Sequence, residues 1–396
     1  MTLKLDMLQT LALAVVVLLL GQGLKKKVAF LEKYCIPAPV VGGLIFALLA
    51  LVLKQTNVLV FQMDETLKNV LMTAFFTTVG FTASFKLLKK GGIKVVIFLV
   101  VATVLVVLQN ILGVSLAKVF GLNPLIGLST GSVPMTGGHG TSAAFAPLFE
   151  EAGAVGATTV AVASATFGLI MGSMIGGPIA KSLIEKHSLT SKNKTADKAL
   201  SINKEESKQL VPENFMAAAV QIILAMGIGT IISALLQKTG MTFPPYIGAM
   251  FAAAIMRNLS DTTSLFDVRM EEIDIMGNIS LSLFLSMALM TLKLWELAEL
   301  AGPLVVMLLA QTVLMALFAY FITFNLMGRD YEAAVITSGH CGFGMGATPN
   351  AIANMETLAE KYGAAPVAFF ILPLVGSLFI DFFNAGVITA FMNFLV

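Results

Sequence analysis

Runs of about twenty mostly apolar residues recur along the whole chain and set its architecture. They lie near 6–23, 36–54, 68–85, 94–117 and 155–180, and again near 213–236, 245–257, 277–293, 302–326 and 365–394. About 20 apolar residues cross a hydrocarbon core as a helix, so the pattern predicts about ten crossings. The runs at 68–85, 245–257 and 277–293 are short or rich in Ser and Thr, which softens their boundaries. Between the two sets lies a polar stretch, 181–212. It holds Lys181, Lys186, Lys192, Lys194, Lys198, Lys204 and Lys208 beside Glu185, Asp197, Glu205 and Glu206. Such a composition buries too little apolar surface to pack, and reads as a linker. The chain thus divides into a first half, 1–180, a linker, 181–212, and a second half, 213–396.

Composition agrees. Apolar residues make up 57% of the 396 residues and charged residues 12%, too few charges to cover a water-soluble fold of this size. The net charge of +2 gives no reason to expect nucleic acid as a partner; the lipid bilayer is the expected surroundings. The first run has no small-residue cleavage site and is followed by Lys25, Lys26 and Lys27, so it reads as a retained membrane helix rather than a signal peptide. Cys35 and Cys341 have no C-x-x-C partner and read as buried, reduced thiols.

Charge also fixes an expected orientation. Lys25, Lys26, Lys27 and Lys33 follow the first crossing, Lys86, Lys89, Lys90 and Lys94 follow the third, and the lysine-rich linker follows the fifth. Arg257, Arg269 and Arg329 occupy the matching side in the second half. Positive loops stay in the cytoplasm, which puts the linker inside and both termini outside.

The halves resemble each other at an offset of roughly 206–210 residues. Ile36-Pro37-Ala38-Pro39-Val40-Val41-Gly42 parallels Phe243-Pro244-Pro245-Tyr246-Ile247-Gly248. Asn69 to Phe76 parallels Asn278 to Leu285, and Gly138-His139-Gly140 parallels Gly344-Met345-Gly346. Five is an odd number of crossings, so the second half is expected to be inverted, an arrangement common in secondary transporters. The expected fold is therefore an all-α integral membrane protein, with about ten transmembrane helices in two inverted five-helix repeats.

Each repeat carries a glycine-rich interruption, near 125–150 and near 333–360. Irregular backbone at membrane depth survives only where protein or a water-filled cavity surrounds it, so both segments read as re-entrant hairpins. A hairpin tip offers helix N-termini with free N–H groups and a positive dipole end, which suits a carboxylate. Ser132, Thr136, Gly137, Gly138, His139, Gly140 and Thr141 in the first hairpin are substrate-binding candidates. Gly342, Gly344, Gly346, Thr348 and Asn350 in the second are their counterparts, with His340 beside them. For both histidines a hydrogen-bonded packing role competes with substrate contact and with a proton relay. No Lys or Arg lies in either hairpin. Asp381 is an acid inside the last crossing, a costly placement that points to function; with Asn384 and hairpin carbonyls it supplies the oxygens sodium prefers. Gln109, Asn110, Gln311 and Thr312 sit mid-crossing at paired places and read as structural hydrogen bonders.

With these motifs in hand, the sequence resembles the sodium/glutamate symporter family. The resemblance runs through Ile36–Gly43, Gly137–Thr141, Asn278–Leu285, Leu292–Leu297 and the long motif Gly339–Pro349 continuing into Ala351–Met355. It covers nearly the whole chain except the linker. Asn278, Ser282 and Asn354 lie within these motifs and join Asp381 and Asn384 as sodium-ligand candidates. The resemblance implies sodium-coupled uptake of L-glutamate, a bacterial inner-membrane location, a homodimer and an elevator-like mechanism, with sodium as coupling ion and no other metal or cofactor. One departure is Pro134 within Ser132–Thr136. In that mechanism, the third and fourth crossings, the hairpin and the fifth crossing of each half are expected to move against the first two.

Other readings fare worse. Gly127-Leu128-Ser129-Thr130-Gly131 matches G-x-S-x-G, but a nucleophile elbow needs a strand before the serine, and both flanks here are membrane segments; no enzymatic activity is expected. Inverted hairpins can also build a channel, which would equilibrate a solute rather than accumulate it. A carrier of another small carboxylate, coupled to sodium or protons, is the nearest alternative.

Overall fold

Asp6 opens the first long helix, α1 (Met7–Lys25). Its carboxylate accepts from the N–H groups of Leu8 and Gln9, and the Gln9 side chain accepts from the Asp6 N–H. This reciprocal cap satisfies donors that every helix start leaves free. The computed structural model describes residues 2–191, 211–239, 243–263 and 265–396. The first half continues with α2 (Ala38–Gln55), α3 (Thr66–Thr82) and α4 (Gly92–Val119). Two short helices (Pro124–Leu128 and Ser132–Met135) follow, then α5 (Gly138–Glu151) and α6 (Ala157–Lys186). The second half runs α7 (Pro212–Gln237), α8 (Pro245–Thr263), α9 (Met270–Met290), α10 (Ala301–Met327), α11 (Tyr331–Gly344), α12 (Thr348–Tyr362) and α13 (Pro366–Leu395). Among the described residues the fold is all-helical apart from a small parallel pair, β1 (Thr2–Leu5) on β2 (Val60–Met63).

Among the described residues, eight helices are long and apolar enough to cross a membrane. The other two crossings expected from the sequence are α3, of 17 residues, and α8, which carries Arg257 paired with Asp261 at 3.2 Å. The protein is thus a multi-pass membrane protein. Of the stretch 181–212, residues 181–186 continue α6 and residues 192–210 lie outside the described residues. Cys341 is buried, Cys35 only half-buried, and both are free.

The helices sort into two bundles. In one, α1, α2 and α3 pack with α7, α8 and α9; in the other, α4, α5 and α6 pack with α10, α11, α12 and α13. The third helix of each half therefore packs with the first two, not with the fourth as the sequence led us to expect. Close backbone approach explains it. A Cβ on Gly80 of α3 would collide with the Met250 carbonyl of α8, and one on Gly277 of α9 with Thr78 of α3. In the second bundle α6 carries Gly168, Gly172 and Gly176 one turn apart. Cβ atoms there would meet the carbonyls of Met345, Cys341 and Ser338 in turn. In lipid, where apolar burial gives helices no reason to associate, such small-residue seams let backbones approach.

Two stretches of π-helix interrupt the second bundle, Ala319–Thr323 in α10 and Leu374–Phe379 in α13. The latter follows Pro373, whose missing N–H breaks the α ladder.

Candidate functional site

Both glycine-rich segments interrupt their helices. In the second, α11 and α12 form a helical hairpin: the Tyr331 hydroxyl at the start of α11 donates to the Gly363 carbonyl just past the end of α12 at 2.5 Å. The turn between them, Met345–Ala347, is the tip. In the first, the chain leaves the short helix Ser132–Met135, which contains Pro134, and turns at Thr136–Gly137 into α5. Gly138 sits at φ +62°, a left-handed conformation that glycine adopts freely. A Cβ there would lie 3.2 Å from the Gly346 carbonyl oxygen, so the two tips touch.

Neither α5 nor α12 has a side chain capping its N-terminus. Both open onto one cavity of about 340 Å³. Thr136, Gly137, Gly138, His139 and Gly140 line it from the first hairpin, and Gly346, Ala347, Thr348 and Pro349 from the second. Gly376, Ser377 and Asp381 reach it from the π-helical part of α13 and the turn after it. Across from these, the first bundle contributes Pro37 and Pro39 of the α2 start, Phe75 of α3, and Leu281, Ser282 and Leu285 of α9. The cavity therefore lies on the boundary between the bundles. Hydrogen bonds also join the bundles: the Thr82 hydroxyl donates to the carbonyl of Leu378, next to the cavity residue Ser377, and that of Thr159 to the Lys293 carbonyl at 3.4 Å, away from the cavity.

Behind the tips, the mid-helix amides tie the hairpins together. Gln109 Nε2 donates to the Gly344 carbonyl at 2.7 Å, and its Oε1 accepts from the Thr136 hydroxyl at 2.8 Å. Gln311 Nε2 donates to the Gln109 carbonyl at 2.8 Å. Asn110 Oδ1 accepts from the Ser132 N–H at 2.9 Å, and Asn384 Nδ2 donates to the Ser132 carbonyl at 3.2 Å. One glutamine thus grips both hairpins.

Not every candidate residue reaches the cavity. Ser132 and Asn384 lie buried behind the first tip. Thr141 is buried in α5 against Gly137. His340 packs between Phe98, Phe318 and Phe343, its Nδ1 on the Thr323 hydroxyl at 2.8 Å. Gly342 packs closely on Ala351, and Gly344 serves through its carbonyl. Asn350 and Asn354 turn to α6, donating to the Leu169 and Gly172 carbonyls at 2.9 Å each. Asn278 is exposed and is not among the cavity's lining residues. Of the five sodium-ligand candidates, Asp381 and Ser282 share the cavity. The lining residues missing from the sequence-based set are mostly apolar or backbone contributors. Pro37 and Pro39 were visible as a repeated motif but were assigned to the scaffold alone, and Pro373 was the unread signal for the π-helix that turns Gly376 and Ser377 inward.

The sequence that builds this site has relatives. A family model described as sodium/glutamate symporter matches residues 3–364. The sodium/glutamate symporter of Escherichia coli (strain K12) is 44% identical over 392 residues, 98% of each chain. That of Haemophilus influenzae (strain ATCC 51907 / DSM 11121 / KW20 / Rd) is 40% identical over 385 residues, 96% of this chain and 95% of its own. The chain belongs to the sodium/glutamate symporter family.

Proposed function

We propose that the protein imports L-glutamate together with sodium across a bacterial inner membrane, and that both bind in the cavity between the bundles. The observation that carries this reading is the convergence of two uncapped helix N-termini and one unpaired carboxylate on a single cavity. Each N-terminus is a ready site for an anionic group, and glutamate has two carboxylates to offer. Asp381 and Ser282 supply oxygens for the cation; the bound cation in turn offsets the charge brought by the substrate. Sodium and glutamate are thus expected to favour each other's binding, reciprocally. Heating the purified protein tests this: glutamate should raise its melting temperature in sodium chloride and leave it unchanged in choline chloride. Equal stabilisation in both would refute the coupling.

The transport motion we infer is a slide of α4–α6 and α10–α13, carrying the cavity, past a frame of α1–α3 and α7–α9. The halves are read as inverted repeats, with the hairpins entering the membrane from opposite faces. Exposed apolar faces on α1 (Val16, Leu19, Leu20) and α7 (Ile223, Leu224, Ile231) suit lipid or a second copy of the frame in a homodimer. The lysine distribution supports a cytoplasmic linker with both termini outside. A cysteine at exposed Glu185 should accordingly resist an impermeant thiol reagent applied to intact cells, and ready labelling there would reverse the orientation.

A further inference from the structure

We propose that His139 recognises the ammonium group of the substrate through its Nδ1 atom, an inference that rests on the amino-acid reading of the cavity. The ring's state follows from counting hydrogens. Nε2 lies 2.9 Å from the Thr166 hydroxyl, and that hydroxyl lies 3.1 Å from the Val162 carbonyl four residues back. A threonine hydroxyl has one hydrogen to give. The carbonyl can only accept, so in the arrangement we assign the hydroxyl's hydrogen goes to Val162, and Nε2–H donates to Thr166. The neutral ring then carries no hydrogen on Nδ1, which is a bare acceptor.

That acceptor is open. His139 lines the cavity and retains 5% of its surface. Nδ1 makes no hydrogen bond among the described residues, yet it is not one of the sealed, unpartnered atoms, as Nε2 of His340 is. Other polar groups on the cavity wall are engaged or weaker. The hydroxyls of Thr136 and Thr348 are spent on Gln109 and the Gly376 carbonyl, and hydroxyl oxygens are poorer bases than imidazole nitrogen. Asp381 is the group assigned above to the cation. A donor cation of the substrate, rather than either carboxylate, is what Nδ1 can hold. Thr166 is a positioning residue, since it acts only through the ring.

Glutarate tests this, because it keeps both carboxylates and the chain length of glutamate but lacks the ammonium. Its competition against labelled glutamate is measured with the full-length protein in vesicles under an inward sodium gradient. A charge-assisted hydrogen bond sets the expected wild-type preference for glutamate at about 10- to 100-fold. His139→Gln places an amide nitrogen where Nε2 was and keeps the Thr166 bond, but offers nothing at Nδ1; the preference should collapse to within about twofold, through weaker glutamate binding with glutarate unchanged. His139→Asn places an oxygen where Nδ1 was and should restore part of the preference. Full preference in a His139→Gln variant that still binds overturns the proposal. If His139→Gln binds neither compound, Thr166→Val and Thr166→Ser decide: only the valine variant should lose preference, and equal preference in the two overturns the assignment. A wild-type protein that binds neither compound refutes the glutamate reading itself, whereas one that binds both equally refutes only the role of His139.

Discussion

Asp381→Asn is expected to raise the sodium concentration needed for half-maximal glutamate uptake by roughly 100-fold, the larger end of what a charge-assisted contact contributes. Asp381 is the one carboxylate among the cavity's lining residues. It is half-buried and has no hydrogen bond or ion pair among the described residues. An unpaired acid at membrane depth is costly unless a cation visits it. The neighbouring π-helix explains its position: by displacing the ladder over Leu374–Phe379, it brings Gly376, Ser377 and Asp381 to the same cavity. Asparagine keeps the shape and removes the charge, so the variant should reach the membrane in normal amounts and elute as a symmetric peak on size exclusion. Unchanged sodium dependence in that well-folded variant would remove Asp381 from the ion site.

Fastening the two bundles together is expected to stop transport altogether. The cavity draws its walls from both, and the hydrogen bonds Thr82 to Leu378 and Thr159 to Lys293 mark where they meet. Few polar contacts need to break for one bundle to slide, whereas within the second bundle Gln109, Gln311, Asn110 and Asn384 bind both hairpins into one body. In a background with Cys35→Ser and Cys341→Ala, cysteines at Thr82 and Leu378 can be bridged by a short bifunctional methanethiosulfonate. Uptake should fall in proportion to the fraction bridged and return on reduction, and each single-cysteine control should keep its activity. Full uptake by the bridged protein would replace sliding with local gating at the hairpin tips.

The sequence told most about what lies along the chain and least about what lies across it. The run read at 94–117 is a helix over Gly92–Val119, and that at 213–236 one over Pro212–Gln237, because a span length and an apolar run are local properties. The glycine breaks at Gly137–Gly140 and Gly344–Gly346 were equally visible, since glycine interrupts a helix wherever it falls. Facing was not. His340 sits four residues before Gly344 and so on the helix face that meets Phe98 and Phe318, away from the cavity. Glycine richness hid that periodicity. The partition of α3 and α9 was also hidden, because an apolar run does not name its neighbour. Gly43, Gly80 and Gly277 are local marks of the seam. Pro373 marked a break in α13, but that the break takes the form of the Leu374–Phe379 π-helix depends on the surrounding helices, which no window of sequence contains.

The most direct measurement is labelled-glutamate uptake by purified protein in sealed vesicles, with sodium and proton gradients imposed separately. An inward sodium gradient should drive glutamate well above its outside concentration, and a proton gradient alone should not. Mere equilibration under every gradient, or accumulation driven by protons without sodium, would contradict sodium-coupled glutamate transport through this cavity.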